Sequence, residues 1–138
     1  MLKLMLVEDD RILLEIPLSA DDWNFEELNM ELNRLDDELE KISGLFDIYS
    51  NASRIKMMRA FFEASDRCKA FTELMHELDM NPKIVSEGTR KLQRVGIIKK
   101  DDKGKYKLTR MGEIQFMMTS ILLRKMEDTL RKMEVMEE

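Results

Sequence analysis

Lys83, Ser86, Glu87, Arg90 and Arg94 recur in the stretch Met80-Asn-Pro-Lys-Ile-Val-Ser-Glu-Gly-Thr-Arg-Lys-Leu-Gln-Arg-Val-Gly96. At about 100° per residue their spacing gathers them on one side of a helix. Their chemistry is that of nucleic-acid contact. Guanidinium groups grip guanine edges or phosphates, a serine hydroxyl donates or accepts, and a carboxylate accepts from the cytosine amino group. Glu87 has a second reading, because it also stands at helical spacing from Lys83 and Lys91 and can pair with either. Lys99, Lys100, Lys103, Lys105 and Lys107 follow closely, a cluster of cations suited to holding a phosphate backbone.

Positioning these groups needs defined elements, and the local sequence supplies their signals. Asn81 can cap a helix through its side-chain oxygen, Pro82 suits the first helical position, and Gly96 ends the helix. The face opposite the polar one carries Ile84, Val85, Gly88, Leu92 and Val95 and is expected to pack. Upstream, Ser53 to Ala64 reads as a helix with Ile55, Met58, Phe61 and Phe62 inward. A shorter one runs from Ala70 to Leu78 through Phe71, Leu74, Met75 and Leu78, and the turn Asp79-Met80-Asn81 joins it to the basic helix. Downstream, Ile97-Ile98-Lys99-Lys100 and Lys105-Tyr106-Lys107-Leu108 alternate as strands around Asp101-Asp102-Lys103-Gly104, a turn composition. The order is that of a winged helix-turn-helix.

Both flanks carry helical seams. Leu2, Leu4 and Leu6, then Ile12, Leu14 and Ile16, alternate around Glu8-Asp9-Asp10-Arg11 and predict a β-hairpin. Asn24 and Glu27 stand as a capping box for a long helix along Phe25, Leu28, Leu32, Leu35, Leu39 and Ile42, broken at Gly44. Thr109 can cap a final helix from about Arg110 to about Met136, whose seam is Phe116, Thr119, Leu123, Met126, Leu130 and Met133. Such seams need partners, so Leu28, Leu32, Leu35, Leu39, Phe116, Leu123, Met126, Leu130 and Met133 are expected at a dimer interface. The fold class is mainly α with a small β-hairpin wing. Residues 1–44 form the N-terminal hairpin and acidic helix, 45–112 the DNA-binding winged helix, and 113–138 the C-terminal dimerisation helix.

Composition narrows the function classes. The chain has 138 residues, 43% hydrophobic and 37% charged, with a net charge of -5. The charge is segregated: residues 1–50 hold 4 basic and 14 acidic side chains, 51–112 hold 15 and 8, and 113–138 hold 4 and 6. The middle segment alone has the footprint of a nucleic-acid binder. Its acidic neighbour would be repelled by DNA and is expected to serve dimerisation or a protein partner. No apolar run approaches the ~18 residues that span a bilayer, so a cytoplasmic protein without membrane attachment is expected. Cys68 and His76 are each the sole residue of their type; Cys68 reads as a bystander at a helix start, and neither has the companions a metal site needs. The thirteen methionines fall mostly at apolar positions as adaptable filler. With no glycine-rich phosphate loop and no nucleophile-and-base pair, neither an enzyme nor a cofactor is expected.

Three stretches together resemble the ArsR-type winged-helix transcription regulators: Phe46 to Arg59 with Arg54 at a conspicuous arginine position, Ser86 to Ile98 with Leu92 and Gly96, and Tyr106-Lys-Leu-Thr-Arg-Met-Gly112. The resemblance covers roughly half the chain. It implies a homodimeric regulator that binds double-stranded DNA. Thr89 departs from it, standing where such helices usually carry leucine, and that side of the helix is expected to pack less deeply or to touch a neighbour. Metal-sensing members carry a cysteine pair in the helix containing His76, or carboxylate and histidine ligands in the last helix. This chain has no cysteine at Met75 or Glu77 and no histidine after His76, so a metal sensor is not expected. The competing class is a winged-helix protein-interaction module of a larger transcription or chromatin complex, its basic helix bound to an acidic partner. Salt-dependent, sequence-selective binding to duplex DNA separates the two.

Overall fold

The structure is a computed structural model that describes residues 1–137. The chain divides into two compact units, Met1–Ser43 and Gly44–Glu138.

In the first unit, strands β1 (Lys3–Glu8) and β2 (Arg11–Pro17) pair antiparallel, with Leu4 opposite Ile16 and Leu6 opposite Leu14. Asp9 takes a positive φ of 52° at the turn. A short 3-10 turn (Ala20–Asp22) follows, and the Trp23 indole N–H donates to the Pro17 carbonyl at 2.9 Å. The Asn24 side chain accepts from the N–H groups of Glu26 and Glu27, which starts α1 (Phe25–Asp37). The helix is interrupted at Glu38 and resumes as α2 (Leu39–Ser50). This corrects the expected break at Gly44, which lies inside α2. No residue of α1 is buried, and Leu32, Leu35 and Leu39 are all exposed.

The second unit is built on one apolar core. Helix α3 (Ala52–Glu63), capped by Asn51, contributes Met57, Met58, Ala60 and Phe61; α4 (Phe71–Leu78) contributes Leu74, and α5 (Pro82–Arg94) contributes Val85 and Leu92. Strands β4 (Ile98–Lys100) and β5 (Tyr106–Leu108) close the core with Ile98, Tyr106 and Leu108. A third strand, β3 (Cys68–Lys69), lies on the far side of β5 in the order β3-β5-β4. Cys68 therefore sits in a strand opposite Lys107, correcting its placement at a helix start. The helix-turn-helix of α4 and α5, followed by the β4–β5 hairpin, is a winged helix-turn-helix.

The wing is fastened to the next helix by Thr109. Its hydroxyl donates toward the Ile97 carbonyl at 3.0 Å and the Gly96 carbonyl at 2.6 Å, and accepts from Gly112 N–H to cap α6 (Arg110–Phe116). Gly112 is required there, because a Cβ on it would lie 2.9 Å from both Cα and Cγ2 of the fully buried Ile97.

After α6 the helix widens into a π-helical stretch (Met117–Leu122) before α7 (Leu123–Glu137). The expected uninterrupted α-helix is thus corrected. The π hydrogen-bonding pattern adds a residue per turn, so a seam with alternating three-and-four spacing does not run straight across it. Phe116 moves out of the exposed seam altogether: its ring packs 4.7 Å from that of Phe62, against the core of its own chain. Nearby, the Tyr49 hydroxyl donates to Gln115 Oε1, and burial pushes the phenol up to about 12 against a smaller downward effect of the Thr119 hydroxyl. Among the described residues no helix is long and apolar enough to cross a membrane.

Candidate nucleic-acid interface

Helix α5 begins as its sequence requires. Asn81 Oδ1 accepts from the Ile84 N–H at 2.9 Å, Pro82 occupies the first turn, and Gly96 closes the far end at φ +79°. The buried stripe is Val85, Gly88, Thr89 and Leu92. Ile84 and Val95 are exposed, which corrects the wider packing face expected from periodicity. The reason is Gly88: a Cβ at that position would lie 2.6 Å from the end of the buried Met57 side chain, so α3 and α5 approach most closely there. That closeness draws in the neighbouring Thr89, which is 2% exposed rather than loosely packed. Its hydroxyl donates to the Val85 carbonyl at 2.8 Å, so the buried oxygen has a partner.

Lys83, Ser86, Glu87, Arg90 and Arg94 are all exposed. None of these charged side chains forms an ion pair among the described residues. Glu87 pairs with neither Lys83 nor Lys91; the Lys91 ammonium lies 3.8 Å from Asp47 Oδ2 instead. Asp47 belongs to α2, and sequence periodicity held no signal for a contact spanning three helices. The same carboxylate meets Arg54, a buried arginine of α3. Arg54 Nη2 donates to the Asp47 carbonyl at 2.7 Å and to Oδ2 at 3.3 Å, and Nε donates to the Ile48 carbonyl at 3.4 Å. Arg54 thereby satisfies carbonyls in the last turn of α2 that have no partner further along the helix.

In the wing, Asp101 shapes the turn. Its side chain accepts from the N–H groups of Lys103 and Lys105, and Gly104 adopts φ +79°. Lys99 and Lys107 stand directly opposite each other across β4 and β5, both exposed. Like charges in that arrangement repel, and an anionic ligand relieves the repulsion. Lys103 is exposed at the turn. Lys100 lies over the Tyr106 ring at 5.5 Å, and the half-buried Lys105 reaches Glu73 at 3.8 Å, so this pair is partly engaged within the protein.

Of the seam residues, Leu123, Leu130 and Met133 are exposed and Met126 is half-buried; on the N-terminal side Leu28 is half-buried. Among the described residues no three His, Cys, Asp or Glu side chains gather as a metal site requires.

No protein-family model matches the chain, and no curated protein matches it. Two solved structures are similar to it. The YusO protein from Bacillus subtilis is 14% identical with a TM-score of 0.46, over 86% of this chain and 95% of that one. The transcriptional regulator BldR from Sulfolobus solfataricus is 13% identical with a TM-score of 0.45, over 87% of this chain and 94% of that one.

Proposed function

We propose that the chain is a sequence-specific, double-stranded-DNA-binding transcription regulator of ArsR-like type that acts as a homodimer. The observation that carries this reading is the solvent face of α5, where Lys83, Arg90 and Arg94 have no ion-pair partner within the chain while the rest of the helix is locked by Gly88 and Thr89. A rigid helix with unspent donors is suited to the major groove. The facing pair Lys99 and Lys107, with Lys103, supports a role for the wing in gripping the phosphate backbone. Fluorescence anisotropy with a randomised duplex library, repeated over a range of salt concentrations, tests the reading. Affinity should fall steeply with salt and an enriched sequence should emerge. Binding without sequence enrichment, or binding to acidic polypeptides in preference to duplex DNA, would favour the protein-interaction alternative.

Replacing Lys99 and Lys103 with Ala should weaken binding to all duplexes and flatten the plot of log affinity against log salt by about one unit per lost phosphate contact. A change of preferred sequence with the slope intact would contradict the wing's role.

Assembly follows from what α7 leaves uncovered. Leu123 is 53% exposed and Leu130 39%, at positions that share a seam with Met126 and Met133. Apolar seams of this kind are buried by pairing, and a twofold pair would set two recognition helices about 34 Å apart, one turn of DNA. Light scattering on wild type should give a dimer, and Leu123→Glu with Leu130→Glu should give a folded monomer that prefers a two-half-site duplex no more than a single half-site. A monomeric wild type at micromolar concentration would defeat the dimer model.

A further inference from the structure

Glu87 and Lys91 are four residues apart on α5, with the acid on the N-terminal side, the favourable arrangement for a pair within a helix. The structure does not use it. Lys91 turns to Asp47 Oδ2 at 3.8 Å, and Glu87 stays without an ion-pair partner at the rim of an open hollow it shares with Asn51, Ser53 and Arg54. Asp47 is an exposed surface residue, and an exposed carboxylate does not by itself hold a lysine in place. Here it is steadied from below. The Arg54 guanidinium, on a residue only 7% exposed, binds both the Asp47 carbonyl and its carboxylate, while Nε takes the Ile48 carbonyl.

We propose that Asp47 is a specificity-positioning residue: by occupying Lys91, it keeps the Glu87 carboxylate free to accept from a base amino group in the major groove. This rests on the DNA-binding reading above. Without Asp47, Lys91 returns to its neighbour on α5 and competes with the base for Glu87. The freed ammonium also adds a cation to the DNA-facing side, which strengthens binding to any duplex. Both effects lower the ratio of specific to non-specific affinity.

The test uses the full chain, the duplex enriched by wild type from a randomised library, its single-base variants, and an unrelated duplex. Glu87→Gln should erase the preference at one base position, which identifies the base that Glu87 reads. Asp47→Asn should reduce the preference at that same position about twofold to threefold, the effect of a competing pair within one helix, and should steepen the salt dependence. The asparagine keeps the backbone carbonyl and a side-chain oxygen for Arg54, so the melting temperature should stay close to that of wild type. Lys91→Gln added to Asp47→Asn should restore the preference, a rescue that a purely structural role for Asp47 would not produce. Full preference in Asp47→Asn, or no rescue in the double variant, overturns the proposal while the DNA-binding reading stands. If wild type shows no sequence preference, or Glu87→Gln changes none, the recognition-helix reading fails and the proposal falls with it.

Discussion

Arg90→Ala combined with Arg94→Ala should remove specific DNA binding and leave the fold in place. Both arginines are exposed on α5, neither forms an ion pair among the described residues, and neither contributes to the buried stripe of Val85, Gly88, Thr89 and Leu92. Alanine is the best helix former, so α5 should be at least as stable as before. Each well-placed base contact contributes about 1–3 kcal/mol, so losing two should weaken specific binding by roughly thirtyfold to ten-thousandfold. Affinity for the selected duplex and far-ultraviolet circular dichroism check the two halves of the expectation. An unchanged footprint would show that α5 is not the reading helix.

The second large effect is on stability. Gly112→Ala places a methyl group against the Ile97 carbonyl oxygen and 2.9 Å from Ile97 Cα. These are backbone atoms, and Ile97 is fully buried, with its carbonyl also held by the Thr109 N–H at 2.9 Å. Nothing flexible is present to yield, so α6 must shift away from the start of the wing. Strain of this kind costs about 3 kcal/mol or more, a fall in melting temperature of about 10–20 °C for a unit of this size. Gly44→Ala is the matched contrast. Gly44 lies within α2 with no atom near the added methyl, and the substitution should stabilise the helix by up to about 1 kcal/mol. Equal melting temperatures for the two variants would refute the account of Gly112.

These two glycines also show where sequence reading succeeds. Signals that act within a few residues were legible: Asn81 and Pro82 for the start of α5, Gly96 for its end, Gly104 for the wing turn, and Thr109 for the cap of α6. Signals that depend on what lies across the core were not. Gly44 ended the helix on propensity alone, but the burial of Ile48 one turn later offsets a penalty of about 1 kcal/mol. Ile84 and Val95 had the periodicity of core residues, yet the close contact at Gly88 narrows the stripe and takes in Thr89 instead. A two-residue strand such as β3 is too short to show alternation at all. The Lys91–Asp47 contact joins residues far apart in sequence, and no local rule predicted that Lys91 would leave Glu87. The wing lysines were identifiable as a group, but their inequality, with Lys105 drawn to Glu73 and Lys100 to Tyr106, depends on the tertiary fold.

The π-helical stretch Met117–Leu122 separates two tasks along one continuous rod. Before it, Phe116 faces inward onto Phe62; beyond it, Leu123 and Leu130 face outward. Deleting one residue there would return the segment to ordinary winding and rotate everything beyond it by roughly 100°, the turn of a single α-helical residue. The winged helix would stay intact while the outward seam pointed elsewhere. Single-residue insertions and deletions at this point therefore form a mechanical dial, by which descendants of this sequence can re-space paired DNA half-sites without altering any side chain that reads a base.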